Sequence, residues 1–234
     1  MNNFIVFLIA AIFFTSCDSI SGNGNIISEK RSIYNVHSIK TSGSIDIDIN
    51  IGDGYSLVVE NDENLIPHIV TEVNNGVLNI HYKNNYSIVN DHAKVTVTVP
   101  SLNKISTSGS ADIKGHGVII SDKEFDITTS GSGDIDLEVD APAISAVGSG
   151  SGDIALSGKT KDLDCKISGS GDVKCSNLKS ENTNIRLSGS SAAHVFASVS
   201  LKVNVAGSGD VYYSGNPTSP EIHISGSGTV KSEK

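Results

Sequence analysis

The 234-residue sequence is poor in aromatic residues and in positive charge, and both shortages narrow what the protein can be. It has no Trp, and aromatic residues make up only 5 % of the chain, which excludes a globular core built on large rings. Lys and Arg number 17 against 26 Asp and Glu, and this net charge of -9 disfavours nucleic acid as a partner because phosphate binding needs clustered basic side chains. The chain instead has 23 Gly and many Ser, which suits short strands joined by tight turns.

A short phrase built on Ser-Gly-Ser recurs along the chain. It reads TSGSID at 41–46, TSGSAD at 107–112, TSGSGD at 129–134, ISGSGD at 167–172 and ISGSGT at 224–229. Between Gly109 and Gly226 the repeated glycines are 22, 19, 19, 20, 18 and 19 residues apart. A period near twenty is typical of solenoids, in which each repeat buries its apolar face only against its neighbours.

Within each repeat, apolar and polar residues alternate with a period of two. The repeat from 163 to 175 shares one parity among Leu163, Cys165, Ile167, Val173 and Cys175. This alternation predicts β-strands with one buried face, and the glycines mark the corner where the strand bends. We therefore predict an all-β, single-stranded parallel β-helix with coils of about twenty residues, right-handed by the crossover rule. The alternative, an antiparallel sandwich, explains the strands but not the fixed period.

Residues 53–100 interrupt the period and carry the signal of a β-hairpin. Two alternating strands, expected at 69–73 and 77–82, flank the turn sequence Asn74-Asn75-Gly76, and Asn-Gly is a strong hairpin signal. Further strands are expected at 55–60 and 93–99. We predict an antiparallel element in the N-terminal half that joins or caps the β-helix, with 83–92 as its longest polar loop.

The N-terminal residues predict a lipoprotein signal peptide. An apolar run at 4–14 is too short to span a bilayer and precedes Thr15-Ser16-Cys17, which resembles a bacterial lipobox. We expect Cys17 to be lipidated and to anchor the protein in the cell envelope, at the outer membrane, although a plain secretory signal is the alternative. The predicted organisation is a signal peptide at 1–16, a flexible tether at 17–31 and a β-helix domain at 32–234.

The aspartates that close the repeated phrase form the first candidate site. They occupy equivalent positions in the repeats, and stacking would place consecutive carboxylates about 5 Å apart: Asp112, Asp134, Asp153, Asp172 and Asp210. Such a row of like charges is relieved either by hydrogen bonds from backbone N–H groups at the turn or by a bound cation. Calcium would suit an all-oxygen site, but the glycine-rich nine-residue calcium repeat is absent. No metal site and no other cofactor is assigned.

Three other sets of side chains each have a structural and a functional interpretation. Polar aromatic residues either pack at edges or form a sugar-binding surface: Tyr82, Tyr86, Tyr212 and Tyr213. Cys165 and Cys175 are either buried thiols or a disulfide. The serines repeat in every unit, which favours a hydroxyl ladder over a nucleophile, because a nucleophilic serine needs its own base and orienting acid. We assign no catalytic residue.

The order of these motifs resembles the head GIN domain family. The resemblance rests on the lipobox, DENLIPHIVTEVNNGVLNIHY at 62–82, VTVTVPSLNKISTSGSADI at 95–113, the repeated SGSGD and VYYSGNP at 211–217. It covers about 32–230. It implies a right-handed β-helix in a Bacteroidota-type envelope lipoprotein, described as an auto-transporter adhesin, and it implies no catalytic residue set.

Together these features predict a non-enzymatic envelope lipoprotein that serves as an adhesin or as a scaffold for binding and display. Its expected partners are the membrane, through the N-terminal lipid, and a polysaccharide or a surface protein, with no role for nucleic acid. The alternative is a carbohydrate-active β-helix enzyme of the polysaccharide lyase or pectinase kind. Such enzymes need a unique cluster of acids or an arginine in a groove, and the sequence has only Arg31 and Arg186.

Overall fold

The computed structural model describes residues 18–84 and 86–233, so the expected signal peptide and Cys17 lie outside the described residues. These residues form strands joined by turns, with one short 3-10 helix at Ile66–His68. The strands are β1 (Asp18–Ser21), β2 (Ile26–Arg31), β3 (Ser38–Gly43), β4 (Asp46–Ile51), β5 (Ser56–Asp62), β6 (Ile69–Asn74), β7 (Val77–Tyr82), β8 (Tyr86–Val89), β9 (Lys94–Val99), β10 (Lys104–Gly109), β11 (Ile113–Ile120), β12 (Phe125–Gly131), β13 (Ile135–Gly150), β14 (Ile154–Gly169), β15 (Val173–Cys175), β16 (Leu178–Gly189), β17 (Ala192–Phe196), β18 (Ser200–Gly207), β19 (Asp210–Ser214), β20 (Glu221–Gly226) and β21 (Val230–Ser232).

The strands wind into a β-solenoid of about six turns. Strands that end at the repeated glycine stack in parallel as one sheet, which we call the glycine-corner sheet, and β7 extends this sheet beyond β3. In order the sheet contains β7, β3, β10, β12, the C-terminal halves of β13, β14 and β16, β18 and β20. In it Gly131 pairs with Gly150, and Gly150 pairs with Gly169. The predicted parallel β-helix is therefore confirmed, and the sandwich alternative is wrong. Its handedness stays an expectation from the crossover rule.

A second parallel sheet stacks beside the first and completes each coil. It runs through β9, β4, β11, the N-terminal halves of β13 and β14, β15, β17, β19 and β21. Because side chains alternate across a strand, each coil sends every second residue into the space between the sheets. One inward column is Ile127, Ala146, Cys165, Ile185 and Val203, all buried.

Two of the buried side chains are the cysteines of the repeat from 163 to 175. Cys165 and Cys175 are free thiols, which answers the question that the sequence left open between thiols and a disulfide. A hydrogen bond with Cys175, together with burial, raises the pKa of the Cys165 thiol well above its usual range. Both cysteines therefore act as small apolar core residues.

The glycine corner is required by the stacking of the coils. Gly150 has a φ of +129°, a conformation that L side chains rarely adopt. A Cβ atom built on Gly150 would lie 2.1 Å from the backbone oxygen of Gly131 in the preceding coil. The corner thus needs glycine both for its dihedral angles and for the close approach of the neighbouring backbone.

Antiparallel strands cap the N-terminal end of the solenoid, as predicted. β6 and β7 form the hairpin, with positive φ values at Asn75 (51°) and Gly76 (76°) in its turn. β5 pairs antiparallel with β9, and β2 pairs antiparallel with β5. Gly43 pairs directly with Gly109, and β4 pairs with β11. The chain from β5 to β9 therefore builds the first coil, through β7 and β9, and the cap that covers it.

The structure differs from the predicted tether at 17–31. β2 occupies residues 26–31 within the cap, and β1 pairs in parallel with β8, which lies in the expected polar loop. Asn64 Nδ2 donates a hydrogen bond to the Ser21 carbonyl oxygen over 2.8 Å. These strands were missed because backbone pairing holds them, and β2 has little buried side-chain surface that would impose a period-two pattern.

The C-terminal end of the solenoid is open. β20 pairs only with β18, and β21 pairs only with β19, among the residues that the structure describes. All six residues of β20 are exposed. The solenoid thus has one closed and one open end. No helix in the described part of the chain is long and apolar enough to cross a membrane.

Candidate functional site

The aspartate column lies along one corner of the solenoid, and its carboxylates accept backbone hydrogen bonds from the next coil. The Oδ1 atom of one aspartate accepts the N–H of the equivalent residue above it, at 2.8–3.0 Å, in five consecutive steps: Asp46 to Asp112, Asp112 to Asp134, Asp134 to Asp153, Asp153 to Asp172 and Asp172 to Ala192. The geometry therefore supports the turn-capping interpretation of the column.

The break in the column at Ala192 tests this interpretation within the structure itself. Ala192 has no carboxylate, and the next N–H, that of Asp210, donates instead to the Ser191 carbonyl oxygen over 3.1 Å. Asp210 Oδ1 then accepts both the N–H and the hydroxyl of Thr229, at 2.8 and 2.7 Å. Each N–H of the column thus has an acceptor, whether or not an aspartate lies below it.

Individual hydrogen bonds offset the negative charge of the aspartate column, as at Asp153. Partial burial would raise the pKa of Asp153, but hydrogen bonds from Lys174, at 2.6 Å, and from the Asp172 N–H outweigh it, and the pKa is lowered. In the described residues, no group of three His, Cys, Asp or Glu side chains converges as a metal site requires. The backbone hydrogen bonds, with the Lys174 contact at Asp153, thus favour the capping interpretation of the column.

The four tyrosines proposed as one ligand surface do not lie together, which corrects the sequence-based interpretation. Tyr82 and Tyr86 belong to the capped end of the solenoid, whereas Tyr212 and Tyr213 lie on β19 near the open end. The Tyr82 hydroxyl donates to Asp91 and accepts from Asn61, and burial together with the Asp91 contact raises the pKa of Tyr82 far above its usual range.

The other tyrosine rings are also engaged in local contacts. Tyr212 stacks on His194 with ring centroids 4.7 Å apart and planes 12° apart, and Tyr86 meets His68 edge-on at 4.7 Å. The predicted solenoid already implies this separation, because Tyr82 and Tyr212 lie in strands many coils apart.

A different surface, the outer face of the glycine-corner sheet, carries two shallow grooves, one over the middle coils and one that reaches the open end. Groove one encloses about 330 Å³ across several stacked coils and is lined by carboxylates, amides, hydroxyls and one lysine: Asp162, Asp164, Asn182, Asn184, Ser200 and Lys202, with Glu124 at its edge. Groove two encloses about 350 Å³ and is lined by Lys166, Arg186, Asn204 and His223 on one side and by Ser168, Ser188, Ala206 and Ser225 on the other.

The grooves follow from the lengths of neighbouring side chains in the columns. In groove two the repeated serine column, continued by Ala206, is short, and the adjacent column becomes long at Lys166 and Arg186. In earlier coils the same adjacent column holds Ser106, Thr128 and Val147. A strip of short side chains beside long ones leaves a trench parallel to the solenoid axis.

Ion pairs form the ridge that separates the two grooves. Arg186 Nη1 lies 2.9 Å from Asp164 Oδ1, and Lys202 Nζ lies 2.8 Å from Glu221 Oε1. Asn184 Nδ2 donates to the other Asp164 oxygen over 3.1 Å. The charged groups therefore balance one another, and they leave a nearly neutral surface with many hydrogen-bonding groups.

The sequence analysis missed this surface, although the signal was present. Aligning the repeated phrase places Lys166, Arg186, Asn204 and His223 in one column, each two residues before the serine column. The repeated residues build the coil, whereas the residues of this column vary from coil to coil. A residue that changes from coil to coil is the better candidate for function. Cys17, the predicted lipidation site, lies outside the described residues.

Comparison with known proteins agrees with the fold. A family model described as "Putative auto-transporter adhesin, head GIN domain" matches residues 35–217. A solved structure of a putative adhesin from Bacteroides fragilis is 22% identical, with a TM-score of 0.87 and an alignment covering 92% of this chain and 100% of that chain. No curated protein matches the chain.

Two solved structures from Parabacteroides distasonis are also similar. One is of a putative adhesin, 26% identical with a TM-score of 0.67, and its alignment covers 92% of this chain and 100% of that chain. The other is of a putative lipid binding protein, 25% identical with a TM-score of 0.73, and its alignment covers 93% of this chain and 100% of that chain. The solenoid therefore recurs in proteins described both as adhesins and as binding proteins.

Proposed function

Because the chain belongs to the head GIN domain family of putative auto-transporter adhesins, we propose that it is a non-enzymatic adhesin of the cell envelope that binds polysaccharide through its two grooves. In this proposal Cys17 carries the lipid that anchors the protein in the outer membrane. The capped end of the solenoid then follows the anchor directly, and groove two reaches the last coil at the opposite end.

The grooved face is the observation that carries the proposal. Both grooves run along the solenoid axis across stacked coils, so they fit an extended chain better than a compact ligand. Amides, hydroxyls and carboxylates line groove one, which suits the hydroxyl groups of a sugar. Groove two is more apolar, because Ile167, Leu187 and Val205 also line it. The methylene groups of Lys166 and Arg186, with the Ala206 methyl group, offer apolar surface for the faces of sugar rings.

The same geometry favours binding over catalysis. Glycoside hydrolysis uses two carboxyl groups placed on either side of the scissile bond, one of them free to transfer a proton. Asp164 in the ridge is bonded to both Arg186 and Asn184, and Asp162 accepts a hydrogen bond from Asn182 over 2.8 Å. These acids are arranged as a hydrogen-bonded surface. Arg186 is an arginine in a groove, as the enzymatic alternative requires, but its Nη1 is paired with Asp164 over 2.9 Å. The enzymatic alternative therefore becomes an outcome of the test.

Glycan arrays and polysaccharide pull-down assays with purified protein test the proposal. We expect the wild type to bind, and Ser188→Trp, which fills groove two from its floor, to weaken binding at least tenfold. Ser130→Trp is the matched control, because it places the same side chain in the same serine column outside the grooves. Equal binding by both variants would exclude the grooved face, and shortening of the polysaccharide would favour the enzyme.

The lipid anchor has its own test in cells. Metabolic labelling with a clickable fatty acid is expected to label the wild type and Cys175→Ala but not Cys17→Ala. Cys17→Ala is also expected to leave the membrane fraction. Labelling that persists in Cys17→Ala would show that the lipid is attached elsewhere, whereas a wild type that takes up no label would show that the leader is an ordinary secretory signal.

A further inference from the structure

We propose that the open end of the solenoid is a dimer interface, at which a second copy of the chain pairs edge to edge through a two-fold axis. Strand β20 of one copy would run antiparallel to β20 of the other, and β21 would lie against β21. The interface extends the core across both molecules. This proposal stands on the open edge alone and does not require the function proposed above.

The open edge exposes side chains whose counterparts in the preceding coil are fully buried. Ile222 and Ile224 are 43% and 38% exposed, although their register partners Val203 and Val205 are 0% and 2% exposed. The outer backbone groups of β20 also lack a neighbouring strand among the described residues. An edge that combines free backbone groups with apolar side chains is a template for pairing with another strand.

The closed end of the molecule decides how two copies can associate. There β2, β5 and β6 cover the first coil, and Leu65 and Ile66 are buried beneath them. Head-to-tail stacking would need a parallel edge at that end, and the cap removes it. Contact between two open ends is isologous, so it closes as a dimer instead of growing into a fibre.

A second copy fits this edge better than a peptide does. The open end presents two strands, one in each sheet, with the end of the apolar core between them. A single extended peptide covers only one of the two strands. An identical edge rotated about a two-fold axis meets both strands and brings apolar surface against the exposed core.

The pattern of β20 also selects a register. Only a register with a residue on the axis sets inward side chains opposite inward side chains, because successive residues point to opposite faces. With Ile224 on the axis, Ile222 lies opposite Gly226 of the partner subunit and His223 lies opposite Ser225 of the partner subunit. This register leaves Pro220 outside the ladder, whereas a centre at His223 would oppose two histidines.

The dimer would change the size of the grooved face. Groove two reaches the last coil through His223 and Ser225, where it is open. In the register centred on Ile224 these two residues meet their counterparts across the axis, so the grooves of both copies join into one. Joining the grooves matters only if the proposed polysaccharide function holds, and then longer oligosaccharides bind the dimer more tightly than the monomer.

The number of residues at the open edge determines how tightly the two copies are expected to bind. Residues 221–232 supply about a dozen residues per copy, fewer than the twenty to thirty of a standard interface. We therefore expect a weak dimer, with a dissociation constant of about 1–100 μM. High local concentration at a membrane surface would favour it.

Sedimentation velocity over a concentration series tests the dimer. We expect the wild type to shift from monomer to dimer, Ile224→Lys to weaken association at least tenfold, and Ile120→Lys to behave as wild type. Ile120 is the matched control because it is an exposed isoleucine on β11, away from the edge. A monomer at every concentration, or association unchanged by Ile224→Lys, would overturn the proposal.

Cross-linking tests the register. Ile224→Cys places two thiols on the proposed axis, so mild oxidation is expected to give a covalent dimer, whereas the exposed Val199→Cys is expected to give little. The native Cys165 and Cys175 are buried and do not interfere. A dimer in which Ile224→Cys fails to cross-link would show that the two edges do not pair as proposed.

Discussion

At the scale of single residues, the aspartate column shows how one side chain can complete a backbone hydrogen-bonding pattern. The chain bends at the corner of each coil, and in most coils one N–H there donates to an aspartate carboxylate of the coil below instead of to a backbone carbonyl. Asp134 supplies the missing acceptor for Asp153 over 2.8 Å, just as Asp112 does for Asp134 over 2.9 Å. Because the carboxylate is charged, its hydrogen bond is stronger than one to a neutral acceptor, and the corner stays hydrated.

Removing one acceptor from the column should cost a measurable amount of stability. We expect Asp134→Ala to lower the free energy of unfolding by about 1 kcal/mol, because the Asp153 N–H loses a charged acceptor at an exposed site. Asp136→Ala is the matched control: it removes an exposed aspartate of the same coil and should change stability by less than about 0.5 kcal/mol. Urea denaturation measures both, and equal effects would contradict the capping role.

The pH dependence of stability should follow the aspartates whose pKa is lowered. Asp153 has a lowered pKa despite partial burial, because Lys174 and the Asp172 N–H stabilise its charged form. A lowered folded-state pKa adds stability that is complete above the unfolded-state pKa of about 3.9 and is lost as the pH falls through the folded-state value. We expect melting temperatures that are flat from neutral pH to about 5 and that fall below about 4.

The acid limb should weaken when the responsible carboxylate is replaced. Asp153→Asn is expected to melt lower than wild type at neutral pH and to lose less stability on acidification. Asp136→Asn should keep the wild-type profile, because the Asp136 carboxylate makes no hydrogen bond within the part of the chain that the structure describes. Parallel profiles for all three proteins would show that the Lys174 contact contributes nothing.

At the residue scale, the sequence predicted where each repeated residue lies in its coil. It did not predict which side chains outside the repeat come together in the fold. The repeat places Asp134 and Asp153 in neighbouring coils, so the sequence alone allows capping to be predicted. The tyrosine surface failed because residues near the two ends of a solenoid, such as Tyr82 and Tyr212, never meet. Residues one period apart in the repeat are predicted to be in contact, whereas residues that only share a side-chain type are not.

At the scale of elements, the glycine corner determines how closely the coils stack. Gly43 and Gly150 occupy the same position in the repeat, and both have positive φ values, +98° and +129°. They differ in what lies beneath them: nothing within 4 Å of a Cβ on Gly43, but the Gly131 carbonyl oxygen 2.1 Å from a Cβ on Gly150. A substitution at Gly43 therefore introduces dihedral strain alone, whereas a substitution at Gly150 introduces both dihedral strain and a steric conflict.

Alanine substitutions at these two corners should differ in cost. Gly43→Ala should lower the free energy of unfolding by about 1–2 kcal/mol, the cost of an unfavourable φ. Gly150→Ala should cost about 1–3 kcal/mol more, because the neighbouring coil must also move. Thermal melting and urea denaturation measure the difference, and equal losses would mean that the coils can separate without cost.

The elements that the sequence predicted are those whose side chains face a core. The hairpin at β6 and β7 was predicted because Asn-Gly and alternating residues agree, and its bounds lie within a residue of those expected. β1 and β2 were not predicted, because Ile26 and Ile27 point to solvent and the strands are held by backbone pairing. A strand without a buried face leaves no hydrophobic period to recognise.

At the scale of the whole molecule, the two ends of the solenoid have unequal protection. Interior coils are hydrogen-bonded on both sides, and β13 and β14 share the longest ladder, from Ile135 to Gly150. The capped end is closed by antiparallel strands, whereas the last coil is paired on one side only. Since each coil is stabilised mainly by its nearest neighbours, the open coil should unfold locally before the others.

Hydrogen–deuterium exchange can measure this gradient along the chain. At low protein concentration we expect 221–232 to exchange fastest, 135–207 to exchange slowest, and the cap at 56–82 to resemble the interior more than the open end. If two copies pair at the open edge, exchange in 221–232 should slow as concentration rises, while exchange in 56–82 stays the same. Ile224→Lys should remove that concentration dependence. Uniform exchange along the solenoid would mean that it unfolds as one cooperative unit, and the open coil would then owe its protection to contacts beyond nearest-neighbour stacking.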